Sequence, residues 1–301
     1  MKRNKVISIG SFNSINFEIL SKSISTLFKK KIKFLIVGNG YKIKKNFNKY
    51  NLADKINIVD DFRNCISNKI NIYDSTKYKI KYSNDILNDI SISYDLATKS
   101  NADLITMPIN KSEVKRVTYF NGVTEFLGKL NKSKTYMMMK GDLFSIIPLT
   151  THIPLNKVSR NYIKELDDLN TLFMYLKKSK SNFKKIVFLG INPHSGEDGT
   201  LGNEEKKLIS KINKLKNKFP NFQFEGPVSA DSAFKYLKKK SLYISAFHDQ
   251  ALIPFKILNK TQVNFTIGLK IRRFSPAHGT AKNIKNKNRA NIESFLECMK
   301  I

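Results

Sequence analysis

Phe34-Leu35-Ile36-Val37-Gly38-Asn39-Gly40 is an unbroken apolar run that ends on a glycine-bearing turn. Four consecutive apolar residues leave no polar face, so the segment reads as a strand covered on both sides, as in a parallel sheet. Two acids, Asp60 and Asp61, follow about twenty residues later, which makes the stretch begin like a dinucleotide fingerprint. Ile43, however, stands where that fingerprint needs its third glycine for close packing of helix on strand. The stretch therefore reads as a plain strand-to-helix turn, and no NAD is placed there. Working outward, further strand candidates lie at 6–9, 33–37, 56–59, 103–106, 135–139, 143–149, 185–190, 242–247 and 263–268. Helical periodicity falls between them. Ile86, Leu87, Ile90, Tyr94 and Ala97 share one face, as do Ile163, Leu166, Leu169, Leu172, Phe173 and Leu176; 204–218 and 279–296 also read as helices. Such alternation predicts an α/β architecture with a largely parallel sheet. No repeat or Pro/Gly-rich linker marks a boundary, so a second lobe requires the chain to cross over and return. The expected division is 1–128 with 255–301 for the first α/β lobe, and 129–254 for the second.

The 301 residues suffice to bury roughly 75% of the unfolded chain's surface without disulfide support. Only Cys65 and Cys298 are available, and neither a membrane span nor a secretory leader is legible, so a cytoplasmic protein with reduced thiols is expected. The net charge of +30 would ordinarily suggest nucleic acid as a partner. Yet the base is 47 Lys against 7 Arg, spread from end to end without interleaved aromatic residues. Readers of nucleic acid lean on Arg forks and stacking platforms, so the composition argues against that class. The abundance of Lys, Asn and Ile together matches AT-rich codons. The charge still raises the encounter rate of an anionic substrate.

Of four histidines, three sit at strand ends. His152 lies in Thr150-Thr151-His152-Ile153-Pro154-Leu155, His194 in Asn192-Pro193-His194-Ser195-Gly196-Glu197, and His248 in Phe247-His248-Asp249-Gln250. Ligands of open α/β sheets bind at strand ends, and three converging imidazoles suit a divalent metal with an open position. Taken singly, each is more often a hydrogen-bonded structural residue, and separations of this size carry no local metal signature. Asp249 is placed to orient His248 from outside the coordination sphere, or else to cap a helix.

The surrounding words decide between these readings. Met107-Pro108-Ile109-Asn110-Lys111, Gly122-Val123-Thr124-Glu125-Phe126-Leu127, the three histidine segments with Glu204-Glu205, Gly226-Pro227 before Ala230-Asp231, and His278-Gly279-Thr280-Ala281 occur in this order. The order resembles the 4-hydroxythreonine-4-phosphate dehydrogenase family of pyridoxal 5′-phosphate biosynthesis, from about residue 100 to 281 and more faintly to the start. The resemblance implies the isocitrate/isopropylmalate dehydrogenase-like fold, with two α/β lobes, a cleft between them, and a homodimer whose active site lies at the subunit interface. It implies metal ligands at His152, His194 and His248, with both subunits contributing, and Zn, Mg or Co as the divalent ion. Substrate contacts fall on Thr124, Lys256, Asn264 and Arg273, with Lys111 as an additional match; Asp231 joins Asp249 as a further catalytic candidate. Lys256 and Arg273 suit a phosphate or carboxylate, whereas without the motif they would read as solvated surface charge. NAD, with NADP as the alternative, is the implied cofactor, and no cofactor residues are assigned.

Three departures bear on activity. Val123 replaces the family's His in Gly-His-Thr-Glu, Ala277 replaces an Asp before His278, and the family's glycine- and proline-rich opening survives in 10–18 only at Gly10, Ile15 and Glu18. Each lost hydrogen bond to a charged substrate group costs ~1.5–3 kcal/mol. The expected chemistry is oxidation of the phosphorylated hydroxy amino acid, then decarboxylation. The alternatives are a dehydrogenase of another phosphorylated hydroxy acid, such as a phosphothreonate, or a catalytically weakened relative acting as a binding partner.

Overall fold

The computed structural model describes residues 3–115, 120–179, 182–235, 237 and 240–301, and the chain divides into two units: Met1–Ser133 with Leu269–Ile301, and Lys134–Gly268. The first unit opens β1 (Lys5–Ser8), α1 (Asn16–Lys29), β2 (Phe34–Gly38), α2 (Gly40–Asn48), β3 (Ile56–Ile58), β4 (Ile70–Asp74), α3 (Asp85–Lys99), β5 (Asp103–Thr106), α4 (Lys111–Lys115) and α5 (Val123–Asn131). The second contains β6 (Tyr136–Gly141), β7 (Ser145–Pro148), α6 (Val158–Asp167), α7 (Leu169–Lys178), β8 (Lys185–Leu189), α8 (Glu204–Lys218), β9 (Gln223–Val228), β10 (Ser241–Ser245), α9 (His248–Leu258) and β11 (Gln262–Ile267). The chain then returns to the first unit as β12 (Arg273–Pro276) and α10 (Glu293–Lys300).

In the first unit the strands run β3-β4-β2-β1-β5-β12, all parallel. The opening stretch behaves as a plain turn. β2 is buried throughout, the Asn39 side chain accepts from the Lys42 N–H at 2.9 Å, and Ile43 is buried against the strand. Ile90, Tyr94 and Ala97 of α3 pack on Val6, Leu35 and Leu104 of three adjacent strands. In the second unit the order is β11-β6-β7-β10-β8-β9, antiparallel at its first two pairings and parallel thereafter. Its core joins Leu166, Leu169, Leu172, Phe173 and Leu176 to Ile147, Ile186, Phe188, Leu242 and Ile244.

Two differences from the sequence reading concern the later part of the chain. The end of α9 from residue 255 and all of β11, placed near the returning lobe by an approximate boundary, lie in the second unit, because α9 runs through Pro254 and β11 pairs antiparallel with β6 over Gln262–Ile267. The helix expected over 279–296 is a loop with a short turn at Lys282–Ile284, followed by α10 at Glu293–Lys300. That lysine- and asparagine-rich stretch has no apolar face to bury, and Asn286 and Asn288 adopt left-handed backbone (φ 62° and 54°).

Candidate active site

Three adjacent parallel strands of the second unit, β7-β10-β8, deliver the three histidines to one edge. Pro148 pairs with Ser245 and Phe188 with Ile244, so these strands end nearly level. Beyond β7 the chain stays beside β10: the Leu149 N–H donates to Ser245 O at 2.9 Å, and the Thr150 hydroxyl to Ala246 O at 2.7 Å. His152 follows in left-handed backbone (φ 49°), exposed, while His248 opens α9 directly after β10. Their ring centroids are 5.6 Å apart and tilted by 39°. Nδ1 of His248 lies 2.6 Å from Asp249 Oδ1. In the tautomer that donates Nδ1–H to this carboxylate, Nε2 keeps its lone pair for an acceptor role.

His194 leaves the neighbouring strand β8 on a tight loop, Pro193–Gly199. It lines a cavity of about 830 Å³ together with Asp231, Asp249, Phe234, Ile253 and Ile257. Asp231 accepts from the Ser229 hydroxyl at 2.5 Å, and this bond, reinforced by nearby His194, holds its carboxyl below the usual carboxylate range. Within one chain, His152 and His248 are therefore brought together, whereas among the described residues no group of three or more His, Cys, Asp or Glu is placed to hold a metal ion.

The expected substrate residues fall in both units. In the first, Arg273 opens β12 and is only 3% exposed. Its Nε donates to the Thr106 hydroxyl at 2.9 Å, an Nη donates to the same oxygen, and the other Nη reaches the Thr124 hydroxyl at 3.4 Å. Burial lowers the Arg273 pKa to about 10, which still leaves the guanidinium charged at neutral pH. Lys111 starts α4 and is exposed. In the second unit, Lys256 is exposed on α9, and Asn264 on β11 carries a buried Oδ1 with no hydrogen-bond partner among the described residues. Such an orphaned acceptor is expected where a ligand donates. Thr106 and Gln250 were missed in the sequence; a polar residue at a strand end, and the polar residue after His248-Asp249, were the available signals.

The departures from the family pattern also have structural places. Val123 packs beside Leu87, Val114 and Phe120 in an apolar cluster. The Ala277 N–H donates to the Ser294 hydroxyl at 2.8 Å. Gly10, Ile15 and Glu18, the residues of 10–18 that keep the expected pattern, each meet backbone. A Cβ on Gly10 (φ 71°) would lie 2.4 Å from Pro108 O; the Ile15 N–H donates to Thr280 O, and Glu18 accepts from the Ala290 N–H.

An imidazole pair, one ring beside a carboxylate, has the donor chemistry that suits a borderline-soft divalent ion such as Zn or Co better than Mg. The 4-hydroxythreonine-4-phosphate dehydrogenase of Aquifex aeolicus is 40% identical over 66% of this chain and 63% of its own length. That of Sulfurihydrogenibium sp. is 30% identical over 98% of this chain and 96% of its own length. The crystal structure of 4-hydroxythreonine-4-phosphate dehydrogenase from Klebsiella pneumoniae shares the fold at a TM-score of 0.78 and 22% identity, covering 99% of this chain and 98% of that one. A β-decarboxylating dehydrogenase from Thermococcus kodakarensis aligns at a TM-score of 0.50 and 12% identity, over 98% of this chain and 81% of that one, in keeping with the isocitrate/isopropylmalate dehydrogenase-like class. The model of the pyridoxal phosphate biosynthetic protein PdxA matches residues 18–301, and the chain belongs to that family.

Proposed function

We propose that the protein is a divalent-metal- and NAD-dependent dehydrogenase. It oxidises 4-phosphooxy-L-threonine to 2-amino-3-oxo-4-phosphooxybutanoate, which decarboxylates to 3-amino-2-oxopropyl phosphate, in cytoplasmic pyridoxal 5′-phosphate biosynthesis. NADP is the alternative cofactor. The observation that carries this reading is the adjacency of His152 and His248 at the ends of two neighbouring parallel strands, in a chain of this family. His152, His248 and His194 are the ligands, and the bound ion supplies Lewis acidity toward the substrate hydroxyl. Asp249 fixes the ligating tautomer of His248. Arg273, held in place by Thr106 and Thr124, and exposed Lys256 neutralise the anionic ends of the substrate, and Asn264 Oδ1 accepts a hydrogen bond from it. A homodimer completes the ligand set. In support, α9 exposes Ile253 (59%) and Ile257 (76%) on the wall of the cavity that holds His194.

The test is NADH formation from the phosphorylated substrate by the purified full chain. A chelator should abolish it and added Zn2+ or Co2+ restore it, and His152→Ala, His194→Ala and His248→Ala should each remove both activity and stoichiometric metal. Turnover that survives metal removal refutes the reading. A second substrate is favoured by one observation: Val123, at the family's His position, is committed to apolar packing. Higher kcat/KM for a phosphothreonate than for 4-phosphooxy-L-threonine would establish it.

A further inference from the structure

The loop that carries His194 has an unusual backbone. His194, Ser195, Gly196, Glu197 and Asp198 are five consecutive residues with positive φ (48°, 56°, 83°, 40° and 54°). A left-handed run of L-residues is intrinsically unfavourable and persists only where surrounding structure over-determines it. At its start, the Gly190 N–H donates to Val228 O at 2.9 Å. Gln250, two residues after His248, accepts from the Ala246 N–H at 2.7 Å and donates to Gly190 O at 2.8 Å. The loop's exit from β8 is thus tied to the segment that bears His248. What remains to be held is the stretch from Ile191 onward.

That stretch closes on one carboxylate. Glu205, 5% exposed in the first turn of α8, accepts from the Ile191 N–H at 2.9 Å and the Asn192 N–H at 2.8 Å through Oε1. Through Oε2 it accepts from Asn192 Nδ2 at 2.9 Å, and the same amide also donates to Glu204 at 2.9 Å. Gly196 leaves room for this group, since a Cβ there would lie 2.9 Å from Glu205 Oε2. Three N–H donors thus converge on this one carboxylate, and hydrogen bonds to a carboxylate are among the strong ones.

We propose that Glu205 is the positioning residue for His194: its carboxylate fixes the left-handed loop and thereby sets where this imidazole stands for metal binding. The inference rests on His194 being a metal ligand. Glu205 itself touches neither metal nor substrate. Groups that orient a ligand from outside the coordination sphere are worth ten- to a hundredfold in metal affinity.

The experiment titrates the chelator-stripped full chain with Co2+, followed by its visible absorption, for wild type, His194→Ala, Glu205→Gln and the double variant. Glu205→Gln should raise the Co2+ Kd ten- to a hundredfold in the wild-type background and leave unchanged the weak residual Kd that the His194→Ala background shows under titration. Amide exchange over 190–200 should accelerate while that of 241–245 does not. Asn192→Ala, which removes the side-chain donor without touching α8, covers the case in which Glu205→Gln does not fold; it should shift Kd in the same direction. An unchanged Kd in Glu205→Gln, or an equal loss in both backgrounds, overturns the proposal alone. A Co2+ affinity indifferent to His194→Ala overturns the metal-ligand reading beneath it.

Discussion

Arg273 shows how much a single buried cation asks of its neighbours. At 3% exposure its N–H groups have almost no water to turn to, and the Thr106 hydroxyl takes two of them. Thr106→Val keeps the shape and removes the acceptor that two guanidinium N–H groups use. Stability should fall by about 1–3 kcal/mol in urea unfolding, and KM for the phosphorylated substrate should rise more than kcat falls. Thr106→Ser retains the oxygen and should recover most of both; equal behaviour of the two variants would remove Thr106 from the site. Asp89 poses the opposite problem, a buried acid. Burial pushes its carboxyl up to about 7 against the bond from Ser75 and the charge of Lys42, with Asp74 and Asp85 nearby adding to the rise. The unfolded chain ionises this group near pH 4, so between pH 4 and 7 the native state binds more protons. Stability contributed by the protonated acid is therefore lost as pH rises through that window, by at most about 4 kcal/mol, and is flat above it. Asp89→Asn should abolish that slope in urea midpoints measured from pH 4.5 to 8. A wild type without the slope means the carboxyl ionises at its ordinary value.

At the scale of elements, strands that only have to be buried were the most directly legible, although β3, half-buried to exposed, and β11, which carries Asn264, were legible too. β2 and β10 are buried throughout and read directly as apolar runs. β4, β9 and β12 were missed because each mixes that task with another. β4 carries Asn71, fully buried yet satisfied by Phe34 O, Ile66 O and the Ile66 N–H, so a polar letter interrupts a core strand. β9 contains Gly226-Pro227, and β12 has Arg273 at its head and Pro276 at its end. The residue that hides β12 as a strand is thus one of those proposed to bind substrate. The apolar period over 163–176 was legible, but not the break between α6 and α7. Asp168 ends one helix and begins the other while its carboxylate pairs with Lys134, a contact set by β6 rather than by local spacing. The site followed the same division. Strand-end histidines were visible as words, and parallel register explains why His152 and His248 meet. Thr106, Glu205 and Gln250 act through long-range partners, at separations no local pattern reveals.

For the whole molecule, the proposed homodimer requires that two chains of net charge +30 associate. Their mutual repulsion favours the separated state, and an interface must offset it with apolar area. α9 offers such a patch: Ile253, Pro254 and Ile257 line the cavity beside His194, and Phe234 and Phe247 extend it. Pairing there would bury apolar surface and bring a second set of imidazoles to a chain whose own described residues supply no three-donor group. Two consequences separate this from an incidental patch. The dimer should tighten as salt rises from 0.05 to 0.5 M, because screening weakens the repulsion while hydrophobic contact persists; ion-paired interfaces behave the opposite way. Ile257→Asp, at a position 76% exposed within the chain and so without cost to its fold, should give a monomer in sedimentation. That monomer should keep wild-type secondary structure and lose tight Co2+ binding. Should the Ile257→Asp monomer hold Co2+ as firmly as wild type, the ligand set is complete within one chain and the second copy has no part in it.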